Sequence, residues 1–316
     1  MAACALALCS FGACEFARAN SVTLCAATTA ELQADLTNAS DGGIYAGYNV
    51  AIELVVGTYR IGTATSNGPF TYSSTAATGE IEIFGGWAAN CDDLTRDASL
   101  TVLDGNGTSK VLNIQNENAR VDIEFVTIRN GESTTAGGGA AINTNTTGGQ
   151  VLLYDNIFQN NHTSSIGGGF AADGGGSQVN VVGNLVVNNA ADGGYGAGFL
   201  YSRNGEEAFV TFNTMYNNTT TAPGGAGGLY CCGTPTVSPF VRANIFRQNT
   251  NYGVSFGGTP ADLDYNDYGA ITGVTPESEE GTVSADPKFV DAAGGNFHLA
   301  ATSPLLGICP KTICST

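Results

Sequence analysis

Val151-Leu-Leu-Tyr-Asp-Asn156-Ile-Phe-Gln-Asn-Asn161 returns as Val179-Asn-Val-Val-Gly-Asn184-Leu-Val-Val-Asn-Asn189. It returns again as Ala208-Phe-Val-Thr-Phe-Asn213-Thr-Met-Tyr-Asn-Asn218 and as Pro239-Phe-Val-Arg-Ala-Asn244-Ile-Phe-Arg-Gln-Asn249. The aligned asparagines lie 28, 29 and 31 residues apart. A second marker runs in step: Gly137-Gly-Gly-Ala-Ala-Ile142, Gly167-Gly-Gly-Phe170, Gly196-Ala-Gly-Phe199 and Gly225-Ala-Gly-Gly-Leu229. A fixed period in this range marks a solenoid. Within each unit, apolar and polar residues alternate with period two, so the units are short strands joined by Gly/Asn turns. One unit cannot bury its apolar side alone, but stacked units can, with strands about 4.8 Å apart. The columns Leu153, Val181, Val210, Val241 and Phe158, Val186, Met215, Phe246 are the expected interior stacks. Asn156, Asn184, Asn213 and Asn244 read as an asparagine ladder, each amide bonded to the coils on either side.

The expected fold is all-β: a single right-handed parallel β-helix with a short N-terminal capping helix and an irregular C-terminal cap. Residues 1–19 read as an export signal, mostly Ala, Leu, Cys and Phe, ending in Ala17-Arg18-Ala19 but without the usual basic start. Residues 20–48 form the N-terminal cap. There Thr28-Thr-Ala-Glu31 is a capping box, and Leu32, Leu36 and Ala39 follow at helical spacing. Residues 49–268 make roughly seven or eight coils, a rod of about 35–40 Å. Residues 269–316 form the C-terminal cap.

Composition agrees with stacked strands. Of 316 residues, 44 are Gly and only 39 are charged; Asn, Thr, Ser and Gly coat the surface instead. The net charge of −17 excludes nucleic acid, which needs Lys and Arg to displace counterions. It also disfavours an acidic polysaccharide unless a divalent cation bridges the two. No apolar run after the N-terminus is long enough for a transmembrane helix. Six of the nine cysteines lie beyond the signal, which fits an oxidising compartment. Cys309 is expected to pair with Cys314 and Cys25 with Cys91, while Cys231-Cys232 is a vicinal pair able to close on itself or bond elsewhere.

The Gly-Gly-x-x-Ile and Phe-x-x-Asn elements resemble the repeats of polymorphic outer-membrane proteins, a bacterial secreted β-helix family. Glu82-Ile-Phe-Gly-Gly-Trp87 and Thr101-Val-Leu-Asp-Gly-Asn106 resemble its early coils, and Tyr265-Asn-Asp-Tyr268 its last one. Asp286-Pro-Lys-Phe289, Asn296-Phe-His-Leu299 and Ser303-Pro-Leu305 are similar to its C-terminal signature. The resemblance runs from Thr28 to Cys309. It implies a protein that is secreted, extracellular or on the outer cell surface. With no sorting anchor or translocator barrel recognisable, free secretion is expected. Members range from adhesin-like proteins to polysaccharide-processing enzymes, so the fold leaves function open.

β-Helix enzymes acting on pectin-like chains use a basic residue beside Ca²⁺-binding acids, or paired carboxylates. Neither set is present as a familiar motif. The catalytic candidates are Asp92 and Asp93, in the loop after Trp87, and Arg242. Asp262, Asp264 and Asp267 have an oxygen-rich spacing a Ca²⁺ ion could use; no other cofactor is implied. His162 and His298 have no acid nearby in sequence and read as structural. The outward positions Tyr154, Phe209, Phe240 and Arg242, with Tyr216 and Arg247 beyond the ladder, form an aromatic and Arg strip suited to sugar rings. The expectation is therefore a non-catalytic scaffold that binds a glycan or cell-surface component. A lyase or glycoside hydrolase on one sheet face is the alternative.

Overall fold

A computed structural model describes residues 20–62, 68–76, 79–116, 120–144, 147–202, 208–231, 238–257, 260–273 and 276–310. The expected signal, residues 1–19, lies outside them. The chain is a parallel β-solenoid of about seven turns. Sheet I has ten strands, running from Ser21–Ala26 through Asn49–Val55, Ile81–Trp87, Arg120–Glu124, Thr147–Tyr154, Gly176–Val182, Ala208–Thr211, Phe240–Arg242 and Ala261–Asp262 to Pro276–Ser278. Sheet II has eight strands, from Gly57–Arg60 to Asp267–Tyr268, and sheet III eight, from Phe70–Ser74 to Ile271–Thr272. A short fourth sheet joins Glu132–Ser133, His162–Thr163, Ala190–Ala191 and Thr219–Thr220.

The period-two pattern turns one side of every strand inward. On sheet I, Ile52, Ile83, Ile123, Leu153, Val181 and Val210 stack in register, all buried. The turn from sheet I into sheet II puts Asp155, Phe212, Ala243 and Tyr265 in the left-handed region, each just before a ladder asparagine. That asparagine repairs the turn. Asn184 Nδ2 donates to Leu153 O at 2.8 Å and to Asn213 Oδ1 at 3.0 Å, while its Oδ1 accepts from Asn156 N at 3.0 Å. The ladder runs on to Asn266. A second one, Asn161, Asn189, Asn218 and Asn249, repeats the device where sheet II ends.

Helix α1, Thr29–Ala39, closes the first coil. Thr28 Oγ1 accepts from Glu31 N, Glu31 Oε2 accepts from Ala27 N, and Leu32, Leu36 and Ala39 are buried. Cys25 is bonded to Cys91, tying the first strand of sheet I to the loop after Trp87. Cys231 and Cys309 are also disulfide-bonded; Cys232 and Cys314 lie outside the described residues. At the other end, Phe289–Asp291 and Asn296–Leu299 form an antiparallel pair.

The second marker conceals a shift in register. Phe170 pairs with Gly198, not with Phe199. A Cβ on Gly198 would lie 2.5 Å from the Phe170 ring, so the glycine leaves that ring its space in the core. Phe199, one residue on, therefore points outward, since a one-residue step in a strand exchanges the two faces.

Candidate functional site

The outer face of sheet I carries two in-register columns. One reads Glu82, Asp122, Leu152, Asn180, Phe209, Phe240; the other reads Glu53, Phe84, Glu124, Tyr154, Val182, Thr211, Arg242. Arg120, Gln150 and Gln178 stand side by side at its edge. The early coils are thus acidic and amide-rich, and the later coils aromatic.

The acidic half is chemically unusual. Asp122 is 0% exposed although it faces outward, and Arg120 grips it at 2.5 Å. Asp122 Oδ1, Arg120 Nε and Asn180 Oδ1 are buried without a hydrogen-bond partner among the described residues. Burial pushes the Glu124 carboxyl up to about 7, assisted by the charge of Asp122, and it raises Asp122 as well. Two carboxyls thus stand two residues apart on one strand face, both held above the ordinary carboxylate range. Burial also raises Glu82, on the neighbouring strand.

A carboxyl raised by folding binds protons that the unfolded chain releases. The native state therefore gains stability at low pH and loses it as pH climbs from about 4.5 through about 7. Glu124→Gln is expected to flatten urea stability between pH 5 and 8 and to raise it at pH 8. An unchanged slope would show that Glu124 does not take up its proton in this range.

In the aromatic half, Phe209 and Phe240 stack at 5.1 Å, with planes 10° apart. Arg242 lies 4.8 Å from the Phe240 centroid and is paired with Asp262 and Asp264. It is held in place as a lid over Phe240 rather than left as a free cation. On the other side of the stack Phe209 stands in register with Asn180.

Other candidates separate. Tyr216 and Arg247 belong to sheet II, not to this face. Phe289 and Phe297 of the C-terminal pair cover Tyr216 edge-on, at 5.6 and 5.4 Å. Arg247 is paired with the buried Asp267. The three acids considered for Ca²⁺ are engaged by other groups: Asp262 and Asp264 both face Arg242, Asp267 serves Arg247, and Asp264 Oδ1 also accepts from Ser278 Oγ and Glu280 N. No cluster of three or more His, Cys, Asp or Glu side chains is placed to hold a metal among the described residues. Asp92 and Asp93 are exposed in their loop, with Asp93 Oδ1 accepting from Leu94 N.

His162, read from the sequence as structural, stands between two acids. Its Nδ1 lies 2.7 Å from Glu132 and its Nε2 3.4 Å from Asp192, one acid from the coil before and one from the coil after. The hydrogen bond with Glu132 raises its pKa. These acids are 30 residues away in either direction, so nearness in sequence gave no sign of them. Arg120, Asp122 and Glu124 were also missed. Their alternation within Val121-Asp-Ile-Glu124 was the available signal, with Glu82 one coil earlier.

No family model, curated protein or solved structure matches the chain.

Proposed function

We propose that this protein is a secreted or cell-surface scaffold that binds a neutral glycan along the outer face of sheet I. The supporting observation is the continuous column from Asn180 to the Phe209–Phe240 stack, flanked by Gln150, Gln178 and Tyr154. An aromatic face takes the apolar side of a sugar ring, and amides and a phenol take its hydroxyls. Strands spaced about 4.8 Å apart present these groups at a near-constant repeat, which suits an extended chain molecule. The net charge of −17 repels polyanions, so a neutral glycan is the ligand class.

The experiment is a glycan array on the mature protein, followed by titration of each hit. Phe209→Ala combined with Asn180→Ala is expected to weaken binding by at least about tenfold, the equivalent of 1.4 kcal/mol. Unchanged affinity in the double variant would remove sheet I from the reading.

The Asp122–Glu124 pair favours a second reading, a glycoside hydrolase or lyase acting on the same face. Hydrolysis needs one carboxyl protonated and another ionised near neutral pH, and Glu124, raised to about 7 beside the arginine-paired Asp122, could supply the protonated one. Release of reducing ends or of ultraviolet-absorbing products from an array hit, abolished by Asp122→Asn, would establish it. Binding without release supports the scaffold.

A further inference from the structure

The outer face of sheet III changes character along the rod. Its first outward column reads Asn113, Ala141, Ala171, Phe199, Tyr230, and the next reads Gln115, Asn143, Asp173, Tyr201. Alanine methyls thus lie between amides on one side and aromatic rings on the other, and small side chains there leave a hollow. The hollow measures about 330 Å³ and is bordered by Lys110, Asn113, Gln115, Asn143, Asp173 and Phe199. That volume is at the lower end of the range for small-molecule sites.

Its aromatic wall is rigid. Phe199 and Tyr201 lie within 7° of parallel, with centroids 5.9 Å apart. Tyr230 stacks behind Phe199 at 5.0 Å, and Tyr195 buttresses Tyr230 at 4.8 Å. Phe199 stands in register with Ala171 and borders the hollow. At the far end Lys110 is fixed, donating to Thr135 Oγ1 at 3.2 Å and to Ala136 O at 2.7 Å. Asp173 Oδ1 accepts from Gly175 N, which orients the carboxylate.

We infer that this hollow is a binding site for a single neutral pyranose, with one face of the sugar against Phe199 and its hydroxyls toward Asn113, Gln115, Asn143 and Asp173. A flat apolar wall facing a row of amides and one carboxylate matches the two-sided chemistry of a sugar ring. A pyranose has axial C–H bonds on a face and donor-acceptor hydroxyls at the edge. Lys110 and Asp173 place one group of each charge on its border. It lies on a different sheet from the Phe209 stack and does not depend on the sheet I reading.

The test uses the full mature protein and four probes: the methyl glycosides of glucose, galactose and mannose, and N-acetylglucosamine. Saturation-transfer NMR and titration would be recorded for wild type, Phe199→Ala, Ala171→Leu and Val290→Ala. Ala171→Leu fills the hollow from an outward position without removing a wall residue. Thermal unfolding of each variant confirms that it folds. At least one probe is expected to bind wild type and Val290→Ala equally, Val290 being exposed on the C-terminal antiparallel pair and outside both glycan faces. That probe should bind Phe199→Ala and Ala171→Leu at least about tenfold more weakly. No saturable signal from any of the four probes overturns the inference, as does undiminished binding to a folded Ala171→Leu or Phe199→Ala protein.

Discussion

Asn184→Ala is expected to lower the stability of the solenoid by about 3–5 kcal/mol, although it touches no functional face. Asn184 is 1% exposed and lies mid-ladder. Its removal strips Asn156 N of the Oδ1 acceptor at 3.0 Å and Leu153 O of its donor at 2.8 Å. A buried polar group left without a partner costs roughly 1–3 kcal/mol, and at least two are created here, together with a small void. Loss of a surface hydrogen bond by Thr221→Ala, whose hydroxyl reaches Asp192, is expected to cost under about 0.5 kcal/mol. Urea unfolding of the two variants makes the comparison. A loss below about 1 kcal/mol at Asn184 would mean that the ladder decorates the turns rather than holding them.

The second large effect is expected from the Cys25–Cys91 bond. It closes a loop with a sequence separation of 66, for which chain entropy gives about 4 kcal/mol. The location amplifies the loss. Ser21–Ala26 is the terminal strand of sheet I, and α1 packs beside it. If that strand peels away, Asn49–Val55 becomes an open parallel edge able to recruit other chains. Cys25→Ser with Cys91→Ser is therefore expected to unfold at lower urea and to form soluble oligomers on size exclusion. A monomeric double variant with wild-type stability would show that α1 and the core suffice to seal this end.

The interior was legible because a solenoid is built from neighbour contacts that repeat. Leu153, Val181 and Val210 announce their stack by recurring at one offset from the ladder asparagine. Helix α1 was legible for a similar reason, since its cap is a local motif: Thr28 and Glu31 satisfy backbone N–H groups within the same turn. The second ladder was equally visible in Asn161, Asn189, Asn218 and Asn249, but it went unassigned.

Outward chemistry was less legible. An exposed side chain meets partners one coil up or down, and small insertions in the turns change which partners those are. A single step at Gly198 placed Phe199 outside and created the aromatic wall of sheet III. Spacing alone suggested that Asp262, Asp264 and Asp267 could act together. Folding sends Asp262 and Asp267 to different sheets and gives each its own arginine. Tyr216 had the pattern of a surface aromatic until the C-terminal pair settled over it.

By itself the sequence determined the period, the inward columns, the asparagine ladder and the capping helix, because each rests on contacts within one turn or between equivalent positions of adjacent turns. Only the tertiary structure decided that Asp122 and Glu124 share a buried acidic patch, that His162 bridges two coils, and which aromatic rings stay open. Those outcomes depend on non-equivalent side chains brought together across coils, and no repeating pattern specifies which of them will meet.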